Sequence, residues 1–373
     1  MLKHQCNRLD TIFGCAYNAR MNKPINSPNN LLNNISNDVP SAQANAVPDQ
    51  QNFAALSAEM VLDALASVGV EEDGRLLVLN SYENRVYQVG RNEAEPVVVK
   101  FYRPHRWSDA AILEEHAFVH ELMQQEIPVV APLAFHGETL CHYQGFRFAV
   151  FPRQGGRAPD IERSDTLEWM GRLMGRIHAI GALKSYTTRP SLDAQSFGII
   201  PRSWLLEHDF IPGELEQTWE SVSAQALEAV QACYARAGEI ATLRLHGDCH
   251  SGNVLWTDAG PHFVDFDDSR TGPAIQDLWM LLSGERGDRT RQLSDLLAGY
   301  EDFFEFDPRQ LHLIEALRTL RLLHYSYWIA MRWDDPAFQL AFPWFNTMHY
   351  WQDRILELRE QIAAMDEAPL RLF

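Results

Sequence analysis

Residues 244–268 read RLHGDCHSGNVLWTDAGPHFVDFDD and decide the fold of this 373-residue chain. Asp248 is followed five residues later by Asn253, and Asp265 comes twelve residues after that. Phosphoryl transfer needs a carboxylate beside the attacking hydroxyl and hard oxygen ligands for Mg²⁺. Asp248 suits the first role, and Asn253 with Asp265 suits the second. The stretch therefore predicts a site for phosphoryl-transfer chemistry.

The local pattern around these residues predicts a β-hairpin. The apolar run 253–256 and the run 262–264 fit two short strands, and 257–260 supplies a turn. An isolated Asp-x-x-x-x-Asn match is weak evidence, because Asp and Asn also favour ordinary turns. Here a His-Gly pair precedes Asp248, and a second acid follows a strand, so the combination favours the catalytic interpretation.

Composition excludes several classes of function. The chain has 32 basic and 50 acidic residues, a net charge of −18, and it is 46% hydrophobic. Such a charge disfavours binding to nucleic-acid phosphates and to anionic membranes. The five scattered cysteines indicate neither a disulfide framework nor a zinc site, and no apolar run is long enough to span a bilayer. We expect a cytoplasmic, monomeric enzyme without a nucleic-acid or membrane partner.

A chain of this length is expected to form two structural units. The segment 18–51 is rich in Asn, Ser, Pro and Ala, and we predict a disordered extension at 1–50. Strand patterns dominate 51–152, and helix patterns dominate 153–373. We therefore predict an α+β, two-lobed fold: a small antiparallel-sheet N-lobe with one helix at 51–152, and a larger, mainly helical C-lobe at 153–373.

Hydrophobic periodicity also predicts the individual elements. In chain order they are a helix from near Ala54 to Gly69, strands at 76–79, 85–89 and 96–102, a helix at 110–124, strands at 133–136 and 146–151, and a helix at 166–180.

Lys100 closes an apolar strand, and the next helix offers it a partner. Glu115 falls on the apolar, inward face of that helix, whereas Glu114 points further round. A buried acid needs a paired charge. A lone lysine here could also snorkel at a sheet edge. We predict a Lys100–Glu115 ion pair that sets the lysine against the ATP phosphates, with the choice between Glu114 and Glu115 left open.

The strand containing Val150 and Phe151 runs into Arg-Gln-Gly-Gly at 153–156, which predicts a hinge between the lobes. The backbone near Val150 to Pro152 is the expected site of adenine hydrogen bonds. On this hypothesis a bulky residue at Val150 blocks the pocket and abolishes ATP binding.

Several blocks in one order resemble the stress response kinase A family: LNSYENRVYQ, VVVKFYRP, ILEEHAF, FAVFP, LRLHGDCHSGN, FVDFDD and GPAIQDLWMLL. These bacterial serine/threonine protein kinases have the fold of aminoglycoside phosphotransferases and choline kinases. The resemblance runs from about Leu56 to the C terminus. It implies a protein-kinase-like fold, ATP and Mg²⁺ dependence, and phosphorylation of protein Ser or Thr in a stress response.

The matching motifs also imply residue roles. Asp248 would be the proton acceptor, Asp265 a second catalytic acid, and Asn253 with Asp265 the Mg²⁺ ligands. Ser81 would contact ATP from the phosphate-covering loop. That loop, 80–84, lacks the GxGxxG of eukaryotic kinases, so it must reach phosphate through Ser81 and backbone amides, unless it is a plain turn.

At four positions the sequence departs from the eukaryotic kinase motif or allows more than one role for the residue. Gly247 replaces the arginine of the HRD motif, so control by an activation-loop phosphate is not expected. Asp277 either complements a helix dipole or braces the backbone of 246–248. Asp267 and Asp268 either assist the metal or are solvated, as surplus acids near a strand end usually are.

Two other functions have to be weighed. A small-molecule alcohol kinase acting on homoserine, choline or an aminoglycoside would use the same machinery, because fold does not fix substrate. A catalytically inactive nucleotide-binding scaffold is disfavoured by the joint presence of Lys100, Asp248, Asn253 and Asp265.

Overall fold

The computed structural model describes residues 53–372. The predicted disordered extension at 1–50 lies outside the described residues. The first part of the described chain contains α1 (Ala58–Ser67), β1 (Glu72–Leu79), β2 (Arg85–Arg91), β3 (Ala94–Phe101), α2 (Asp109–Gln124), β4 (Cys141–Tyr143) and β5 (Phe146–Pro152).

The remainder is mainly helical, as the sequence predicted. Its helices are α3 (Ser164–Gly181), α4 (Ile200–Glu207), α5 (Gly213–Ala237), α6 (Ile275–Trp279), α7 (Arg286–Tyr300), α8 (Ile314–Ala330), α9 (Pro336–Ala341) and α10 (Met348–Asp366). Its short strands are β6 (Leu243–Arg244), β7 (Val254–Thr257), β8 (Gly260–Phe263) and β9 (Thr271–Gly272), with single-turn helices at Gln195–Ile199, Ser251–Asn253, Phe266–Asp268 and Pro308–Leu313.

The two helices next to the sheet begin where the sequence supplies a capping residue. Ser57 accepts a hydrogen bond from the backbone N–H of Met60, and Ser108 accepts one from Ala111. A serine in this position satisfies an N–H group that has no partner within the helix. The helix predicted from Ala54 therefore starts four residues later, at Ala58.

The main sheet is antiparallel, with strand order β1-β2-β3-β5-β4. Lys100 of β3 lies opposite Ala149 of β5. Neighbouring residues in a strand point to opposite faces. The face of β3 away from Lys100 packs with α1 in the N-lobe core through Val97, Val99 and Phe101. Lys100 is thus directed to the face that carries α2.

One predicted strand is wrong. Residues 133–136 do not form a strand; His136 and Gly137 instead adopt left-handed backbone angles, with φ of 53° and 89°, in a tight turn. Pro132 also has no N–H to donate to a ladder. The edge strand is β4, and only the Leu133 N–H reaches the sheet, donating to the carbonyl of Val150 at 2.7 Å.

The large hydrophobic core lies among α3, α5, α7, α8 and α10, and α2 joins it through Phe118, Val119 and Leu122. The helix predicted at 166–180 is confirmed as α3. It packs closely on α7, because a Cβ at Gly171 would stand only 1.9 Å from the carbonyl oxygen of Leu296. Within residues 53–372, no helix has both the length and the apolarity of a membrane span.

Candidate active site

Asp277 holds the backbone of the catalytic loop. Its carboxyl group is fully buried at the start of α6 and accepts hydrogen bonds from the N–H groups of His246 at 2.8 Å and Gly247 at 2.9 Å. His178 Nε2 lies 3.1 Å from the same carboxyl, and its Nδ1 meets the Tyr300 hydroxyl at 2.8 Å. The bracing role for Asp277 is the one the structure bears out. The loop leading to Asp248 is therefore fixed from the C-lobe core.

Gly247 allows the loop to turn. Its φ is +88°, and a Cβ would approach the carbonyl oxygen of Asp268 to 2.1 Å. A residue with a side chain would be strained here and would collide with backbone. The glycine in place of the HRD arginine is thus a requirement of this turn.

Three side chains contact Asp248, two at its carboxylate and one at its backbone carbonyl. Arg321 of α8 donates to Oδ1 at 2.7 Å, His250 Nε2 lies 3.5 Å from Oδ2, and Asn253 Nδ2 donates to the Asp248 backbone carbonyl at 2.9 Å. Burial alone would raise the pKa of Asp248, but Arg321 and His250 hold it well below its usual range. The carboxylate is therefore ionised and ready to accept a hydrogen bond from a hydroxyl.

The hairpin β7–β8 brings the two predicted metal ligands to one end. The Val264 N–H donates to the carbonyl of Asn253 at 3.0 Å, and Asp265 follows directly in the left-handed conformation, with φ of 62°. Since the amide nitrogen of Asn253 is committed to Asp248, its Oδ1 is the atom left to ligate a cation. The carboxylate of Asp265 is 54% exposed. One amide oxygen and one carboxylate suit Mg²⁺, which fills its other positions with phosphate and water.

The predicted Lys100–Glu115 ion pair is wrong as a direct contact. Lys100 Nζ lies 2.8 Å from Asp265 and 3.5 Å from Asp267, whereas Glu115 pairs with Arg189 at 2.8 Å. Burial would lower the pKa of Lys100, but these acids, with Glu115 further away, raise it well above its usual value. Burial raises the pKa of Glu115 to about 7 despite Lys100 and Arg189.

Glu114 does not pair with Lys100 either. Its carboxylate accepts hydrogen bonds from the N–H groups of Thr187 at 2.8 Å and Arg189 at 3.0 Å. It thereby fixes the segment that delivers Arg189 to Glu115. Periodicity placed Glu115 inward correctly, but its partner comes from a segment more than seventy residues away.

Asp267 is not solvated, contrary to expectation, whereas the side chain of Asp268 is 36% exposed but is paired with cations. Asp267 is buried and pairs with Arg106, and it accepts a hydrogen bond from Asn84 Nδ2 at 3.1 Å. Asp268 pairs with Arg106 at 2.7 Å and Arg270 at 2.9 Å. Burial opposes ionisation of both acids, but the neighbouring cations lower the pKa of each. Through Arg106, these acids tie the N-lobe to the segment that follows Asp265.

The hinge prediction needs one correction. The side chain of Val150 is fully buried in the N-lobe core on the α1 side of the sheet, so a bulky residue there would disturb that core rather than fill the cleft. Ala149 and Phe151 point to the side of Lys100 and pack near Tyr102 and Ile112. Of the two residues predicted to bind the nucleotide at the hinge, Phe151 is the one whose side chain lies on the Lys100 face of the sheet.

The predicted nucleotide-contacting residue Ser81 is half-buried in the loop between β1 and β2.

Sequence reasoning missed three sets of contacts in the candidate site: Arg321 with Asp248, Arg189 with Glu115, and the contacts of Glu83. No spacing rule links residues so distant in the chain. An acid, Glu83, within the loop predicted to cover the phosphates was itself an unusual feature of the sequence.

Comparison with known proteins finds one matching family and several similar kinases. The phosphotransferase enzyme family matches residues 76–314. Stress response kinase A of Salmonella choleraesuis is 45% identical over 320 residues, covering 86% of this chain and 97% of the relative. The serine/threonine protein kinase RdoA of Salmonella typhimurium gives the same 45% identity over 320 residues, with 86% and 97% covered.

Among solved structures, amicoumacin kinase hAmiN in complex with AMP-PNP, Ca²⁺ and Ami superposes with a TM-score of 0.66. The two sequences are 19% identical, and the match covers 85% of this chain and 96% of that chain. At this identity the likeness establishes a shared fold, which agrees with the α+β, two-lobed prediction.

Proposed function

The chain belongs to the phosphotransferase enzyme family and, within it, to the stress response kinase A proteins, and from that membership we propose that it is an ATP- and Mg²⁺-dependent serine/threonine protein kinase acting in a stress response. The observation that carries the proposal is the constellation around Asp248: an ionised carboxylate on a braced loop, whose backbone carbonyl accepts a hydrogen bond from Asn253, with Asp265 at the end of the next strand.

Each residue has a defined task in the proposed reaction. Asp248 accepts a hydrogen bond from the substrate hydroxyl and orients it for attack on the γ-phosphorus. Asn253 and Asp265 would hold Mg²⁺, which supplies charge neutralisation on the transferred phosphate. Lys100, whose Nζ lies 2.8 Å from Asp265, would bind the α- and β-phosphates.

The nucleotide is expected between the sheet and the C-lobe. Ser81 and the backbone amides of its loop would contact phosphates, and Phe151 would lie beside the adenine ring. Glu115 acts on Lys100 at a distance, because its own direct partner is Arg189. The two lobes would divide near Pro152, with 51–152 binding ATP and 153–373 holding the metal and the substrate.

A protein substrate is supported by the name of a relative 45% identical to this chain, a serine/threonine protein kinase. The net charge of −18 argues against nucleic-acid and membrane partners. We place the enzyme in the cytoplasm as a monomer.

Incubation with γ-labelled ATP and Mg²⁺, followed by phosphosite mapping, tests the proposal. Label on Ser or Thr of the enzyme or of a generic protein substrate is the expected result. Label found on added homoserine, choline or an aminoglycoside, with none on protein, would replace the protein-kinase assignment with a small-molecule one.

Asp248→Asn tests the catalytic role. We expect ATP binding to persist and turnover to fall roughly 10²- to 10⁴-fold, the usual worth of a positioned base. Asp258→Asn, the same change at an exposed position in the β7–β8 turn, is the matched control and should leave turnover intact. Normal turnover in Asp248→Asn would refute the assignment.

A further inference from the structure

Glu83 is unusual because it belongs to the loop that would cover the phosphates, yet its side chain is only 12% exposed. Its carboxylate accepts a hydrogen bond from the Trp328 indole N–H of α8 and pairs with Nε and Nη2 of Arg332 at 2.8 to 3.1 Å. Arg103 of the N-lobe lies 3.1 Å from the same carboxylate. The tip of the loop is thus bound to the C-lobe through one acid.

The residues on either side of Glu83 also contact the C-lobe. The Tyr82 ring packs on Phe342 with centroids 5.0 Å apart, and Asn84 donates to Asp267 at 3.1 Å. Arg103 also pairs with Asp335, at 2.9 Å. Three consecutive loop residues therefore touch the C-lobe, and the loop stands closed against it.

The same helix reaches the catalytic base. Arg321 of α8 donates to Asp248, and Trp328 lies seven residues further along. At 1.5 Å per residue the two positions are separated by about 10 Å along the helix axis. One rigid element therefore sets both the loop over the nucleotide and the carboxylate at the substrate hydroxyl.

A buried carboxylate is a costly way to stabilise a simple turn. Charges removed from water recover the desolvation cost only when geometry and pairing are good, and the clearest benefit of such pairs is a uniquely defined arrangement. Loop 80–84 lacks the GxGxxG sequence, whose backbone wraps around phosphate. Its conformation therefore has to be fixed by contacts outside the loop.

We propose that Glu83 is a positioning residue for phosphoryl transfer: it latches loop 80–84 onto Trp328 and Arg332, so that Ser81 and the loop amides are held over the nucleotide phosphates. The proposal rests on the phosphotransferase function given above. It assigns Glu83 no contact with ATP itself.

Glu83→Gln is the direct test, because it keeps the size of the side chain and a hydrogen-bond acceptor for Trp328 while removing the ion pairs. We expect the KM for ATP and the dissociation constant of a non-hydrolysable ATP analogue to rise about tenfold or more, with the KM for the acceptor little changed. Glu93→Gln, the same change at an exposed position of the β2–β3 turn, is the matched control.

Two further variants keep the test decisive. Arg332→Gln should reproduce the loss of nucleotide affinity, and the double variant should lose little more than either single one, because both remove the same latch. Trp328→Phe keeps the ring, removes the N–H donor, and should give a smaller loss in the same direction.

Unchanged affinity for the analogue in Glu83→Gln, with or without a lower unfolding temperature, would overturn the latch. Equal losses for ATP and acceptor would also overturn it, since they indicate general loosening. Failure of the parent enzyme to transfer phosphate would instead overturn the proposed function, and the analogue-binding measurement distinguishes the two failures because it needs no turnover.

Discussion

Replacement of Asp277 by asparagine should uncouple the catalytic loop from the core. The carboxyl group serves three donors: the His246 N–H and His178 Nε2 at Oδ2, and the Gly247 N–H at Oδ1. An amide in its best orientation keeps the two donors at one oxygen and turns its NH₂ group towards Gly247.

The magnitude follows from that geometry. One buried backbone donor loses its acceptor, which costs about 1–3 kcal/mol. Two remaining hydrogen bonds then go to a neutral acceptor in place of a carboxylate, at about 1 kcal/mol each. We expect the free energy of unfolding to fall by roughly 3–5 kcal/mol and turnover to fall at least about tenfold, because Gly247 directly precedes Asp248.

Urea denaturation and initial rates with ATP measure both effects. Asp63→Asn, at an exposed position of α1, is the matched control and should change neither quantity. A stability loss under about 1 kcal/mol together with normal turnover would refute the view that Asp277 braces the loop.

Two further predictions concern a turn and a titrating acid. Gly247→Ala should reduce both stability and turnover, because its Cβ would approach the Asp268 carbonyl oxygen to 2.1 Å. Gly287→Ala is the control and should be tolerated, because a Cβ there meets nothing within 4 Å. Equal behaviour of the two variants in denaturation and rate assays would contradict this prediction. Burial raises the pKa of Glu357 from 4.5 to about 7, against the opposing effect of Arg354. Because the folded pKa is the higher one, this stabilisation is complete below pH 4.5 and is lost as pH rises through 7. The unfolding free energy of the parent, measured relative to Glu357→Gln, should therefore drop by about 3 kcal/mol between pH 5 and pH 8; parallel profiles would contradict the shift.

Much of the fold was predictable because it depends on local order. Alternation and helical periodicity identified α2 and α3 and the hairpin that carries Asp265, since burial of one face imposes those periods. The strand expected at 133–136 failed because two left-handed residues make a turn that hydrophobicity does not encode.

The predictions about charge partners fared differently. Periodicity correctly buried Glu115 but could not reveal that Arg189 would reach it from beyond α3. Asp267 and Asp268 were misjudged for the same reason, because Arg106 and Arg270 come from other elements. Val150 was predicted to lie at the hinge beside the nucleotide, but its side chain faces the side of the sheet opposite to Lys100.

The sequence by itself determined the chemical character of the site: an acid, an amide and a second acid spaced around one hairpin, with a lysine ending an apolar strand. Residue type and local period are sufficient for that. Only the tertiary structure decided which charges meet: that Arg321 pairs with Asp248, that Asp277 braces its loop, and that Glu83 joins loop 80–84 to Arg332. Such contacts join residues many positions apart, and they are selected by desolvation and packing of the whole core, which no local pattern records.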